Sequence, residues 1–375
     1  VDLSTDLAGA ERAGPGTRTR PVVVQHSAGT PGANGPLTAV ERVLGSRLAD
    51  RYDFVRMHQS SGNGALNVGL LRDWVALLRR VRPDLVHVRG LQNEGFHGVL
   101  AARLAGCRRV LVTVHGTVRD LRRVDRPVRR ALLVRGAEPL TLRAASHVAT
   151  VCEYAAGRDF LRGCADRFLG VIPNGVPVPA RPEAARDRVR ADLGLCPDDL
   201  AMIVVARLTW EKGFGVLAEA LRRLPPDPVR PVLLVAGDGP ARGDVEAALR
   251  AAGTARVRLL GNRADVPDLL CAADLFVFPT LHENLSNALL EAMAHGLPVV
   301  ASAVGGNVEV LRDGGGRLVP AGDPTALADA LAALLGDAGT RARLGARARR
   351  TVVDRYSLDA MLGALDSAYQ RILAG

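Results

Sequence analysis

Short runs of Val, Leu, Ile and Ala recur along the chain at 21–25, 54–57, 84–88, 110–114 and 147–151, then at 171–176, 201–206, 232–236, 257–260, 275–279 and 298–301. Between them lie turns rich in glycine or proline and segments with apolar residues at helical spacing. Such apolar runs suit strands covered on both faces, and strands alternating with helices predict parallel sheets with helices on either side. The alternation pauses at 173–182, where four prolines mark a linker, and then restarts without a close internal sequence repeat. Two doubly wound α/β halves are therefore expected: a poorly ordered lead-in at 1–20, a first domain at 21–175 and a second at 176–355. Segment 357–373 carries Leu358, Met361, Leu362, Leu365, Ala368, Tyr369 and Ile372 at helical spacing and is expected to pack back on the first domain.

Length and composition agree with this. The 375 residues fit about two domains. Aromatic residues make up only 3%, which leaves the core to Ala, Val and Leu and argues against a base-stacking platform for nucleic acid. The net charge of +10 comes from scattered arginines and from a dense stretch at 119–143. That stretch reads as a solvated helix face, or as a surface for an anionic substrate or the inner face of a membrane. Five dispersed cysteines without a C-x-x-C pair indicate neither a zinc site nor a disulfide framework, which fits a reducing cytoplasm. No run is long and apolar enough for a membrane span, and the first 20 residues have no signal-peptide core.

The chemistry concentrates at predicted strand ends. Of the 49 basic residues, only Lys212 is lysine. It lies five residues after Arg207, in the loop following the 201–206 strand. A compact ammonium and a forked guanidinium on one tight loop can neutralise a diphosphate as it departs. After the 275–279 strand come Glu283, Asn284, Leu285, Ser286 and Asn287, then a helix carrying Glu291 and ending before Gly296 and Pro298. Eight helical residues rotate about 800°, leaving Glu283 and Glu291 about 80° apart, so they suit two ends of one ligand better than an acid/base pair. The N–H groups at 286–289 would face its phosphates. Gly237, Asp238, Asn262 and Arg263 lie in two further strand-end loops. In the first half, Gly29, Gly32 and Gly35 punctuate a strand-to-helix loop whose backbone can approach a ligand, although its spacing misses the dinucleotide fingerprint. His115 follows the 110–114 strand and suits hydroxyl recognition. Loops at 59–66 and 89–98 are expected to meet the acceptor through Gln59, Asn63, Arg89, Asn93, Glu94 and His97.

Together these segments resemble the retaining glycosyltransferases of family 4. The matching stretches are Val-Ile-Pro-Asn-Gly-Val (171–176), Ala-Arg-Leu-Thr-Trp-Glu-Lys-Gly (206–213), Ala-Gly-Asp-Gly-Pro (236–240), the E-x7-E pair of Glu283 and Glu291, and Gly305-Gly306-Asn307-Val308-Glu309. The resemblance implies the GT-B architecture, two Rossmann-like domains facing across a deep cleft. It implies transfer of a sugar from a nucleotide diphosphate, UDP by default, to a polar acceptor hydroxyl of a cell-envelope glycan, lipid or natural product. It also assigns roles. Arg207 and Lys212 bind the diphosphate, Glu283 lies near the transferred sugar, Glu291 holds the ribose, His115 contacts the sugar, and 29–35 borders the donor phosphates. No metal or other cofactor is implied, and the cationic pair takes the metal's electrostatic task. Asn284 stands where the family often has glycine, which bears on donor choice, and Pro31 and Pro36 make the first glycine-rich loop atypical. A nucleotide-sugar epimerase of the same shape is the alternative, which would consume donor without acceptor. A nucleic-acid-binding protein is a remote one, motivated only by charge.

Overall fold

The computed structural model describes residues 19–29, 35–59, 66–117, 119, 127–180, 183–225 and 231–375. Gly32, Asn63 and most of the expected lead-in lie outside these residues, as do Arg122, Arg123 and Arg126. Strands β1 (Val22–Ala28), β2 (Asp53–Gln59), β3 (Leu85–Arg89), β4 (Val110–Val114), β5 (His147–Thr150) and β6 (Phe168–Val171) form one six-stranded sheet in the order β2-β1-β3-β4-β5-β6. Strands β7 (Ala201–Val205), β8 (Val232–Ala236), β9 (Arg256–Gly261), β10 (Leu275–Phe278), β11 (Val299–Ser302) and β12 (Gly316–Val319) form a second, ordered β12-β11-β10-β7-β8-β9. Every pairing is parallel. The chain divides into two compact units, one running to Asn174 and resuming at Met361–Gly375, the other Gly175–Ala360.

Each unit has its own core. β3, β4 and β8 are buried at every position, as strands covered on both faces must be. Trp74, at 0% exposure, anchors the first core, and Phe214, Leu217 and Leu221 fill the second. The C-terminal helix Leu358–Ala374 buries Met361, Leu362, Leu365, Ala368, Tyr369 and Ile372. From Met361 onward it belongs with the first unit, where Asp366 pairs with Arg51 and accepts a 2.7 Å hydrogen bond from the Tyr52 hydroxyl.

Three elements differ from the sequence reading. The last strand of the first sheet is Phe168–Val171, not 171–176; Pro173 has no N–H for a ladder, so pairing ends before it. β12 was not anticipated, because this edge strand leaves Arg317 and Leu318 exposed and so lacks a continuous apolar run. The expected loop at 89–98 is instead the end of β3 followed by a helix, Asn93–Leu104. Gly95 and Gly98 look like loop punctuation but serve close packing: a Cβ on Gly95 would sit 2.1 Å from the Gly90 carbonyl oxygen.

Candidate active site

In an open parallel sheet, a ligand site forms beyond the carboxyl ends of the two strands where the strand order reverses. In the second unit those strands are β7 and β10: β8 and β9 lie to one side of β7, β11 and β12 beyond β10. The loop after β7 carries Arg207 and Lys212, and the loop after β10 carries Glu283. The fold thus brings Lys212 and Glu283, 71 residues apart, to a 2.9 Å ion pair at the reversal point.

Backbone contacts fix this pair. Lys212 closes a short 3-10 turn, Trp210–Lys212, and Gly213 follows in the left-handed region at φ 76°. A Cβ on Gly213 would lie 1.8 Å from the Pro279 carbonyl oxygen, so only glycine lets the two loops touch. Glu211 O accepts from Leu281 N at 2.9 Å and from the Thr280 hydroxyl at 3.3 Å, stapling the loops together. The Lys212 ammonium also lies 5.8 Å from the Phe278 ring centroid, a cation–π distance. Glu283 Oε1 accepts from Asn284 N at 3.2 Å, so both its oxygens are engaged. Arg207 is exposed, and its guanidinium makes no ion pair among the described residues. One cation of the loop is therefore braced by a carboxylate, and the other is open to a ligand.

The helix Asn287–Ala294 begins just beyond Glu283, with Ser286 as its N-cap. The Ser286 hydroxyl accepts from Leu289 N at 3.3 Å, so this N–H, expected to face phosphate, is already satisfied; those of Asn287 and Ala288 remain at the helix start. Asn287 Oδ1 is buried with no partner among the described residues. Asn284 and Leu285 are buried, and Asn284 O accepts from Gly306 N at 2.7 Å, which joins the loop after β11 to this wall. Glu291 is half-buried one turn into the helix. The remaining loops after β8 and β9 are laced to the β7 loop: Leu208 N donates to Asp238 O at 3.0 Å and Gly237 N to Gly261 O at 2.7 Å. Asp238 Oδ1 is occupied by Gly239 N at 2.7 Å. Asn262 is exposed, and Arg263 is held by Asp265 at 2.5 and 2.7 Å, which favours a bracing role for that guanidinium.

In the first unit the strand order reverses between β1 and β3. Gly29 follows β1 at φ 105°, its N–H donating to Gln59 O at 2.9 Å, and Gly35 opens the helix Gly35–Leu44. Arg89, read from sequence as a loop residue meeting the acceptor, is instead the buried last residue of β3. Its guanidinium donates to Gln25 Oε1 at 2.8 Å and to the Tyr369 hydroxyl, with no carboxylate partner among the described residues. Asn93 is buried and Glu94 half-buried in the first turn of the following helix. His115 is half-buried beyond β4; burial, helped by the Arg89 charge, pulls its pKa from 6.5 down to about 3. The imidazole is therefore neutral near pH 7, able both to donate and to accept a hydrogen bond.

The site reading from sequence missed the polar cluster behind these residues. Tyr369 OH lies 2.7 Å from Gln25 Nε2 and 2.7 Å from His87 Nδ1, and His87 Nε2 lies 2.6 Å from the Thr113 hydroxyl. The signal was present: Gln25, His87 and Arg89 interrupt otherwise apolar strands, which in a parallel sheet calls for buried partners.

Residues 19–178 match the sequence profile of Glycosyltransferase Family 4, and residues 200–337 that of Glycosyl transferases group 1. The chain is 32% identical over 332 residues to the 2-deoxystreptamine glucosyltransferase of Streptomyces kanamyceticus, covering 83% of each. It is 35% identical over 328 residues to the 2-deoxystreptamine N-acetyl-D-glucosaminyltransferase of Streptomyces fradiae, covering 80% of this chain and 76% of that one. In fold it is similar to Anabaena Alr3699/HepE, solved in complex with UDP-glucose, with a TM-score of 0.77 at 20% identity over 94% of this chain and 100% of the other.

Proposed function

The chain belongs to the group 1, family 4 glycosyltransferases, with the GT-B fold, and from that premise we propose that it is a retaining enzyme that takes its sugar from a UDP-sugar without a metal ion. The observation carrying this reading is the braced Lys212–Glu283 pair beside the open guanidinium of Arg207, at the reversal point of the second sheet. The diphosphate lies against Arg207, Lys212 and the N-terminus of the helix Asn287–Ala294, where fixed positive charge meets the charge that grows on the leaving group. Glu283 holds the ammonium in place and borders the sugar, and Glu291 takes the ribose hydroxyls.

The bond from the anomeric carbon to the phosphate oxygen breaks, and the acceptor oxygen bonds to that carbon on the same face. The acceptor proton passes to the departing phosphate oxygen. No protein nucleophile takes part. In the first unit, His115 offers a neutral imidazole to a hydroxyl. The two similar transferases named for 2-deoxystreptamine favour a small polyhydroxylated natural product as acceptor.

The test is incubation with UDP-, GDP-, ADP- and TDP-sugars in chelator-treated buffer, with and without 2-deoxystreptamine, followed by mass spectrometry and proton NMR of the product. The expected product is α-linked, from an α-linked UDP-sugar and only when acceptor is present. A β-linked product contradicts retention, an absolute need for divalent metal contradicts the cationic clamp, and donor conversion without acceptor marks an isomerase.

A further inference from the structure

Apart from the two strand-end regions, the first unit holds an open cavity of about 590 Å³ with Arg119, Arg130, Arg135 and Arg158 on its walls, together with Phe160 and, among the described residues, one acid, Asp159. That acid compensates little: it is 80% exposed and pairs at 2.7 Å with Arg162, which does not line the cavity. Guanidiniums gathered around one space repel each other, and an anion placed among them removes the repulsion.

One of the four is built into the fold. Arg119 Nε donates to Glu138 Oε2 at 2.7 Å, its NH2 donates to Val134 O at 2.7 Å, and its guanidinium lies 5.3 Å from the Phe160 ring centroid. Glu138 is wholly buried, at 0% exposure. Taking a carboxylate entirely out of water is unfavourable; here it fixes the plane of one arginine. Of the five N–H bonds of a guanidinium, these contacts use two, and the rest remain for a ligand. Arg130 is steadied by donating to Arg119 O at 3.1 Å. Arg135 is exposed, and its guanidinium makes no hydrogen bond or ion pair among the described residues.

We infer that this cavity is a binding site for a phosphate group, whose charge and tetrahedral oxygens match converging guanidinium forks. The phosphate belongs either to a lipid headgroup or to a soluble phosphorylated molecule. Val128 at 73%, Leu132 at 69% and Leu140 at 51% exposure lie on the helical segments Pro127–Leu132 and Glu138–Ala144, giving this region the mixed apolar and cationic character of a surface that rests on headgroups.

The test compares the intact chain with Arg130→Gln/Arg135→Gln and with Arg72→Gln/Arg108→Gln, a control that removes equal charge away from the cavity walls. Circular dichroism checks folding, and Arg158→Gln replaces the first variant should it fail to fold. One arm titrates inorganic phosphate by calorimetry; the other measures cosedimentation with phosphatidylglycerol/phosphatidylcholine vesicles against pure phosphatidylcholine. The cavity variant is expected to weaken binding by roughly tenfold and the control by less than about twofold. Binding in the vesicle arm alone assigns the lipid source, and binding in the phosphate arm supports the site with a soluble source. Absence of binding in both arms, or equal losses in the two variants, overturns the inference. Neither arm measures glycosyl transfer, so this result and the donor reading stand or fall separately.

Discussion

Acidification from pH 7 to pH 5 will destabilise the first unit by at least about 2 kcal/mol. The cause is imidazoles taken out of water, His26 foremost. His26 is at 0% exposure and His87 at 2%; burial, reinforced by the nearby Arg89 charge, lowers the pKa of His26 to about 3 and that of His87 well below 6.5. His26 therefore stays neutral at pH 5 in the fold. In the unfolded chain each titrates near 6.5, so each binds roughly a quarter of a proton at pH 7 and nearly a whole one at pH 5. Integrating that difference gives about 2 kcal/mol for His26, and His87 and His115, whose pKa values burial also lowers, add in the same direction. The sign follows from the depressed pKa: the stabilisation is complete above the unfolded value of about 6.5 and is lost as pH falls toward the folded one. Against a typical total of about 5–15 kcal/mol, the loss is large. Urea titrations at several pH values, followed by tryptophan fluorescence, measure it. Trp74 is buried in the first unit with its ring 5.5 Å from that of His26, while Trp210 belongs to the second, so Trp210→Phe isolates the signal. A stability that does not change between pH 7 and pH 5 would refute the buried neutral imidazole of His26.

Three substitutions probe the remaining contacts. Gly213→Ala puts a methyl 1.8 Å from the Pro279 oxygen and should cost the second unit about 3 kcal/mol or more in urea unfolding; a wild-type midpoint would mean that the loops do not touch. Tyr369→Phe removes the oxygen shared by Gln25, His87 and Arg89 and should lower stability of the first unit by about 1–3 kcal/mol, whereas an unchanged value would show that those groups find other partners. Lys212→Arg should reduce turnover by about a hundredfold or more with circular dichroism unchanged, since a wide fork does not fit where an ammonium bridges to Glu283; near-normal turnover would remove the need for a compact cation.

Most of the fold was legible because parallel strands covered on both faces write themselves as apolar runs, and ten of the twelve were anticipated at or near their places. β6 and β12 escaped because one lies against a proline-rich segment and the other is a half-exposed edge. The helix Asn93–Leu104 was hidden by glycines whose small size serves packing rather than a turn. At the candidate site, the positions of Arg207, Lys212 and Glu283 at strand ends could be read, but their mutual geometry could not. That Lys212 pairs with Glu283 depends on β7 and β10 being neighbours, a fact of strand order rather than of local pattern. Arg89 went astray for a related reason: it ends a strand, and its partners Gln25 and Tyr369 come from opposite ends of the chain.

The most direct measurement is calorimetric titration of UDP into chelator-treated protein, wild type beside Arg207→Gln. A diphosphate gripped by fixed cations gives binding without any divalent ion, weakened about tenfold or more when the open guanidinium is removed. The contrary result is no heat with UDP, GDP, ADP or TDP, or UDP affinity that ignores the loss of Arg207.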